Sequence, residues 1–176
     1  MTTFHNYLQL RTRVDRFADS VVGRYREQIA CRAGCNQCCA PGLTVVLVEA
    51  VLVGRSLGIP QDRVLLQAGQ PPLSERGRCA LLDAAGSCAA YAERPLTCRI
   101  QGLPLQYPGV EKPSVCTLNF VGLEPHPSSV FNLGNLEAAL FAANLDFCQR
   151  AGLRPSSRVA LDRLAELAGL PVARDS

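Results

Sequence analysis

The feature that most constrains this chain is a cluster of cysteines within residues 31–39. Four of the nine cysteines in the 176-residue chain lie there. They are Cys31, Cys35, Cys38 and Cys39. Packing does not explain so many sulfurs in nine residues, because a cysteine used only for packing behaves as a small apolar side chain that other residues could replace. A second cysteine-bearing stretch occupies residues 79–98, and we interpret the two stretches as halves of one metal-binding unit.

The expected compartment decides how these thiols are interpreted. The amino terminus has no uninterrupted apolar region and no small-residue cleavage site, so we expect no secretory signal. The longest apolar run, residues 43–53, contains Glu49 and is well short of the ~20 residues that cross a bilayer. We therefore expect a soluble cytoplasmic protein, in which clustered thiols are metal ligands or catalytic groups rather than disulfides.

The spacing of apolar residues predicts a largely helical chain. A long amphipathic helix is predicted over about residues 3–30, because apolar side chains recur there at helical intervals. They are Leu10, Val14, Phe17, Val21, Tyr25 and Ile29. Residues 43–48 could be a short extended piece, residues 49–57 predict a helix with a Gly stop, and residues 61–68 predict another short helix.

The middle of the chain predicts little regular structure. Residues 78–88 indicate a small hairpin around a turn at 83–86, with a cysteine on each arm. One helical turn is expected at 89–93, ending before Pro95. Frequent prolines over residues 101–129 predict a long irregular segment.

Helices are predicted again toward the carboxyl end. Residues 132–150 have helical spacing, and Ser156 or Ser157 could cap a last helix that begins by Val159. The predicted fold class is therefore mainly α with a small β-hairpin and long irregular loops.

The predicted domain organisation is a single domain, residues 1–176, organised by a metal. Its cysteine core covers about residues 31–116, and helical segments at 3–30 and 130–170 flank that core. At this length one ordinary hydrophobic core is the expectation.

The cysteine spacing is typical of a soft-metal site. Two or three residues separate Cys31, Cys35 and Cys38, which lets their sulfurs converge on one centre. Cys38 and Cys39 are awkward ligands for a single ion because neighbouring side chains point apart, so either they serve two centres or one is not a ligand. The repeated C-x2-C pairs of zinc ribbons are not present. The loop spacing matches that of radical S-adenosylmethionine enzymes, but the chain offers neither their length nor their strand–helix alternation.

A wider motif combines these thiols with other residue types in fixed order. It reads Cys31, Cys35, Cys38-Cys39, Cys79, Gly86-x-Cys88, Tyr91, Arg94-Pro95 and Cys98-Arg99. This combination resembles the bacterial YkgJ-type CxxCxxCC family of zinc- or iron-chelating proteins, often described as iron–sulfur-cluster proteins, which includes flagellin lysine N-methylases. The chain departs from the family name by placing three residues between its first two cysteines. We do not transfer methylation, because no extended substrate domain is evident.

The resemblance implies a set of metal ligands. They are Cys31, Cys35, Cys38, Cys39, Cys79, Cys88 and Cys98. Cys116, on the irregular segment, is our candidate for an eighth ligand. Eight sulfurs could hold two four-thiolate centres, or one cluster with spare thiols. Cys148, in a predicted helix with no nearby thiol, is interpreted as a buried structural residue.

Three further residues are candidates for contact with the cofactor. Arg94 and Arg99 could balance the charge of a thiolate-bound centre or bind an anionic substrate; the alternative is an ordinary salt bridge to a residue such as Glu93 or Asp83. Tyr91 could donate a hydrogen bond to a cluster sulfur or be a half-buried core tyrosine.

The functional prediction is a cysteine-ligated metal-binding protein. We expect an iron–sulfur cluster, 4Fe-4S, with a redox or cofactor-dependent role; the alternative is a zinc-binding structural module without catalysis. A net charge of +3 does not favour nucleic acid, and no membrane contact is expected. The partner, a protein or a small molecule, and any enzymatic activity are left open by the sequence.

Overall fold

The computed structural model describes residues 4–32 and 34–172. The described residues form six α-helices and two small two-stranded sheets, which confirms the mainly α fold class. In chain order the elements are α1 (His5–Arg24), β1 (Thr44–Val46), α2 (Leu47–Ser56), α3 (Gln61–Leu65), α4 (Leu96–Ile100), β2 (Leu105–Gln106), β3 (Phe131–Asn132), α5 (Leu133–Ala151), β4 (Arg158–Ala160) and α6 (Leu161–Leu167).

Residue contacts divide the chain into two compact units. The first unit comprises Met1–Ala33 and Leu96–Ala143, and the second comprises Gly34–Pro95 and Asn144–Ser176. The chain passes from the first unit to the second within the cysteine cluster, between positions 33 and 34. The single domain over residues 1–176 stays a prediction.

The first unit is built around α1. Leu10, Val14 and Val21 are buried, as the helical spacing of apolar residues predicts, and α1 packs on the short helix α4. Strands β2 and β3 pair in parallel, with Leu105 opposite Phe131. These contacts place α4 and the long loop after it against one face of α1.

The predicted end of the first helix is wrong, because α1 ends at Arg24 instead of reaching residue 30. A single 3-10 turn, Arg26–Gln28, follows it. The backbone then bonds to another segment of the first unit: Phe120 N donates to Gln28 O at 2.8 Å, and Ala30 N donates to Asn119 Oδ1 at 2.8 Å. Apolar spacing continued past Arg24, but these long-range bonds replace the helical ones.

The second unit is built around α2. Val48, Ala50, Val51 and Val53 are completely buried on this helix, so it is apolar on most of its circumference. Strand β1 leads into it, as residues 43–48 suggested, and pairs antiparallel with β4. The helix ends before Gly58, whose φ is +74°. This part of the chain therefore agrees with the prediction.

The predicted start of the last helix is wrong. Val159 lies in β4, paired with Val45 of β1, and α6 begins only at Leu161. The residue before the helix is Ala160, which makes no side-chain capping bond, so neither Ser156 nor Ser157 caps it. Pairing with β1 holds this stretch in an extended conformation that apolar spacing alone does not reveal.

Helix α4 was not predicted. Pro95 was expected to end a helical turn, yet α4 begins directly after it. A proline is tolerated at the start of a helix, where its missing N–H costs nothing. Arg94, the residue before it, is extended with φ −54° and ψ 143°, as the steric effect of the proline ring requires. Cys98 and Arg99 therefore lie on a helix.

None of the helices within residues 4–32 and 34–172 is long and apolar enough to cross a membrane.

Candidate metal site

The cysteine loop of the second unit is held by one asparagine. Its segment has no helix or strand, and Gly34 adopts a φ of +83°, a conformation that favours glycine. Asn36 Nδ2 donates to Gly34 O at 3.1 Å and to Gly86 O at 3.4 Å, while Cys39 N donates to Asn36 O at 3.0 Å. Asn36 thus ties the loop with Cys38 and Cys39 to a turn in the next cysteine stretch.

That turn confirms the small hairpin in reduced form. Leu82 and Cys88 form an isolated antiparallel bridge, and Ser87 N donates to Asp83 Oδ1 at 2.8 Å. Gly86 has a φ of +81° and lies so close to Asn36 that a Cβ would collide with the amide nitrogen. The positive φ favours glycine here, and a Cβ would displace the Asn36 amide that bonds to the turn.

Four thiols of the second unit interact electrostatically around Cys39. Cys79 N donates to Cys39 O at 3.1 Å, which joins the two cysteine stretches through the backbone. The pKa of Cys39 is raised to about 11, first by burial and then by the neighbouring sulfurs of Cys38, Cys79 and Cys88. That these residues are ligands of one metal centre stays a prediction.

Two of these thiols have other charged neighbours. Burial raises the pKa of Cys79, and the Asp162 carboxylate adds to the rise. Burial also raises the pKa of Cys88, but the Arg94 guanidinium opposes the shift. Arg94 thus favours a thiolate at Cys88, while its role in balancing the charge of a metal centre stays a prediction.

Arg94 and Tyr91 form a local pair. The Arg94 guanidinium carbon lies 4.1 Å from the centre of the Tyr91 ring, and its Nη1 donates to Tyr91 O at 2.9 Å. The tyrosine is 64% exposed, so the alternative of a half-buried core residue is wrong. Its contact with a cluster sulfur stays a prediction.

The first unit brings a second set of thiols around Gly102. A Cβ built on this glycine would lie 2.9 Å from Cys31 Sγ and 3.8 Å from Cys116 Cβ. Asn119 completes the set: its Nδ2 donates to Gly102 O at 2.6 Å and to Cys31 Sγ at 3.4 Å. Cys98 lies on α4, which ends just before Gly102.

Asn36 and Asn119 were both missed by sequence reasoning. Asn119 is only 2% exposed, and its Oδ1 accepts from Ala30 N beside Cys31. Both residues position cysteine-bearing backbone through their side-chain amides. A single asparagine in a loop carries no periodic signal, although each lies within three residues of a cysteine, as Cys35-Asn36 and Cys116-x-x-Asn119.

Arg99 forms an ion pair within the first unit. Its Nη1 lies 2.9 Å from Asp15 Oδ1 and 3.0 Å from Oδ2, and the arginine side chain is 6% exposed. The salt-bridge alternative therefore describes what the structure shows, with Asp15 in place of Glu93 or Asp83. Arg99 joins α4 to α1.

Cys148 differs from the other eight cysteines. It is completely buried in α5, and burial is the cause that raises its pKa. The other eight are exposed or half-buried, and all nine are thiols. Burial of Cys148 agrees with the sequence interpretation.

The donor chemistry fits a soft metal. Thiolates are the preferred ligands of zinc and of iron–sulfur clusters, and both units present them on loops or short helices. Within residues 4–32 and 34–172, no three side chains of His, Cys, Asp or Glu converge closely enough to hold a single ion. The match to a soft metal thus rests on the chemical type of the ligands and on their grouping along the chain.

Loop thiols grouped on a mainly helical scaffold define a cysteine-rich metal-binding protein. The chain belongs to the CxxCxxCC family, described as a "Putative zinc- or iron-chelating domain", whose profile matches residues 30–118, just over half of the chain. All eight predicted ligands fall inside the matched region, and Cys148 lies outside it. No curated protein and no solved structure matches the chain.

Proposed function

We propose that the second unit binds a thiolate-held metal centre and that this centre is an iron–sulfur cluster. The proposed ligands are Cys38, Cys39, Cys79 and Cys88, with Cys35 on the same loop. The observation that carries the proposal is the backbone hydrogen bond from Cys79 N to Cys39 O at 3.1 Å, which joins the two cysteine stretches of the second unit. Thiolates held near one another repel, and a bound cation converts that repulsion into attraction.

The residues around the thiols suit a charged centre. Asn36 holds the cysteine loop to the hairpin turn, and Arg94 lies where it favours the thiolate of Cys88. A cluster bound there would supply one-electron transfer. The role that follows is redox or cofactor-dependent work in the cytoplasm with a protein or small-molecule partner.

Iron–sulfur is preferred to zinc because of the loop spacing. Two residues separate Cys35 from Cys38 within the second unit, a spacing that lets both sulfurs reach one cluster. Adjacent Cys38 and Cys39 also suit a centre with several metal atoms better than one tetrahedral ion. The thiols of the first unit, Cys31, Cys98 and Cys116, stay predicted ligands.

Zinc is the second candidate, and a specific observation favours it. The segments that carry Cys35 to Cys39 and Cys79 to Cys88 contain no helix and no strand, only turns and one isolated bridge. Structural zinc centres commonly order such loops and supply the folding energy that a core would otherwise give. In that case the protein is a binding module whose loops are held in place by zinc.

The two candidates differ in colour and in sulfide content. Protein purified without oxygen should be brown, contain iron with acid-labile sulfide, and bleach when reduced. The measurement is elemental analysis for iron and zinc, with sulfide assay and visible absorbance on the same sample. Colourless protein with tightly held zinc and no sulfide would overturn the iron–sulfur assignment while keeping the thiolate centre.

A matched pair of substitutions tests the ligand set. Cys88→Ser should lose most of the bound metal, because serine is a poor ligand for soft metals. Cys148→Ser should retain it, since this thiol is completely buried and lies outside the family match. Equal metal loss in both variants would contradict the proposed ligand set.

A further inference from the structure

A cavity of about 210 Å³ lies beside Cys79 in the second unit. Its wall comes from the loop after the cysteine cluster, from residues 74–83 and from the start of α6. A space of that size is many times the roughly 10–15 Å³ that a single water molecule needs. The cavity is therefore large enough for a small organic molecule.

One wall of this cavity contains a buried carboxylate with an unused oxygen. Asp162, the second residue of α6, is 6% exposed. Its Oδ2 accepts hydrogen bonds from Leu73 N at 2.7 Å and Ser74 N at 3.1 Å. Its Oδ1 is buried and has no hydrogen-bond partner among the described residues. An unsatisfied buried acceptor is costly, and a small movement of the Asp162 side chain toward the cavity would let a donor from a ligand satisfy it.

The other charges in the wall restrict the kind of ligand. Arg76 and Arg78 supply two positive charges, and Asp83 and Asp162 supply two negative charges. A ligand with a net charge of either sign would upset the balance between the two positive and two negative side chains. A ligand that carries both signs preserves this balance and can contact both kinds of side chain. The buried carboxylate calls for an N–H donor, and guanidinium groups bind carboxylates in a two-pronged way.

We propose that this cavity binds a small zwitterion of the amino acid class, with its ammonium group on Asp162 Oδ1 and its carboxylate toward Arg76 and Arg78. The site adjoins Cys79, one of the proposed metal ligands, so a bound zwitterion would lie next to the metal centre. The proposal does not depend on which metal the thiols hold.

Three probes with the same four-carbon chain separate the two charges. They are 4-aminobutyrate, butylammonium and butyrate, titrated by calorimetry into the protein as purified. We expect saturable binding of one 4-aminobutyrate per chain, at least about tenfold tighter than either single-charge probe, since each lacks one charged hydrogen bond. Equal affinity for all three, or no saturable binding of 4-aminobutyrate, would overturn the proposal, and the second result would mean that water alone fills the cavity.

Asp162→Asn is the sharpest variant. Its amide oxygen can still accept from Leu73 N and Ser74 N, which places the amide N–H2 where Oδ1 was. A donor then faces the ligand ammonium, so affinity for 4-aminobutyrate should fall at least about tenfold. The control is Asp62→Asn on α3, which removes the same charge at an exposed position and should leave binding unchanged. Unchanged affinity in Asp162→Asn would refute the assignment.

A second variant protects the test against misfolding. Circular dichroism will show whether Asp162→Asn retains its helices. If Asp162→Asn does not retain them, Arg78→Gln tests the proposal instead. Arg78 is exposed, and in the proposed orientation it contacts the carboxylate end of the ligand. Arg78→Gln should weaken the binding of 4-aminobutyrate by about threefold, because an exposed charge pair contributes less than a buried one. It should leave the binding of butylammonium unchanged. Equal weakening of both probes would contradict the proposed orientation.

Discussion

Replacing Gly102 by alanine should destabilise the protein through two separable effects. The first is conformational: Gly102 has a φ of +91°, where an L-residue costs roughly 1–2 kcal/mol. The second is steric, because the new Cβ would lie 2.9 Å from Cys31 Sγ and 3.2 Å from Asn119 Nδ2. Overpacking of this kind costs about 1–3 kcal/mol.

A matched glycine isolates the steric effect. Gly122 in the same unit has a φ of +72°, and a Cβ built there meets nothing within 4 Å. Gly122→Ala should therefore lose only the conformational ~1–2 kcal/mol. Gly102→Ala should lose about 1–3 kcal/mol more than that. For a chain of this size each kcal/mol lowers Tm by about 2–4 °C.

The assay is denaturant unfolding of both variants and the wild type, with the metal content of each sample measured alongside. A fall in the midpoint at unchanged m indicates lost stability in the folded state. Gly102→Ala should also shift the Cys31 thiol, so its alkylation rate should change while that of Gly122→Ala should not. Equal destabilisation by the two substitutions would refute the close packing of Cys31 and Asn119 on Gly102.

Two further predictions concern an ion pair and a buried thiol. Arg99→Met should destabilise the protein by about 1–3 kcal/mol, because it removes a charged hydrogen-bonded pair whose arginine side chain is only 6% exposed. Arg150→Met, which breaks an exposed pair one helical turn apart, should cost no more than about 0.5 kcal/mol in the same unfolding assay, and equal losses would contradict the difference in burial. Because burial raises the pKa of Cys148, the folded state keeps its proton above pH 9 while the unfolded state loses it. The stability that the buried thiol contributes is thus complete below pH 9 and falls as pH rises further. The difference in unfolding free energy between wild type and Cys148→Ala should therefore narrow by up to about 1.4 kcal/mol per pH unit. A constant difference from pH 8 to about 10.5 would contradict the burial of the thiol.

Local patterns predicted the elements that depend on local interactions. The apolar spacing of Leu10, Val14 and Val21 identified α1, and the glycine stop at Gly58 identified the end of α2. The predicted end of α1 was wrong, because the backbone bonds that follow this helix come from far along the chain. Asn119 accepts a hydrogen bond from the backbone N–H of Ala30 after α1, and the spacing of apolar residues does not predict such a contact.

The candidate site shows the same division. Thiol type and spacing predicted that the two cysteine stretches belong together, and a backbone bond from Cys79 N to Cys39 O joins them, but their role as ligands of one metal stays a prediction. Sequence could not reveal the asparagines that hold the thiol-bearing backbone, since an amide can bond to almost any backbone group. The buried oxygen of Asp162 was equally inaccessible, because it depends on which neighbours the fold leaves out.

The pairing of β1 with β4 has a consequence for the order of events during synthesis. Arg158 Nε donates to Thr44 Oγ1 across 114 positions of sequence. At roughly 5–20 residues per second, a ribosome takes on the order of ten seconds to make the intervening chain. The strand that closes the second unit therefore emerges well after Cys38, Cys79 and Cys88. These thiols therefore spend seconds on a chain whose second unit is still incomplete.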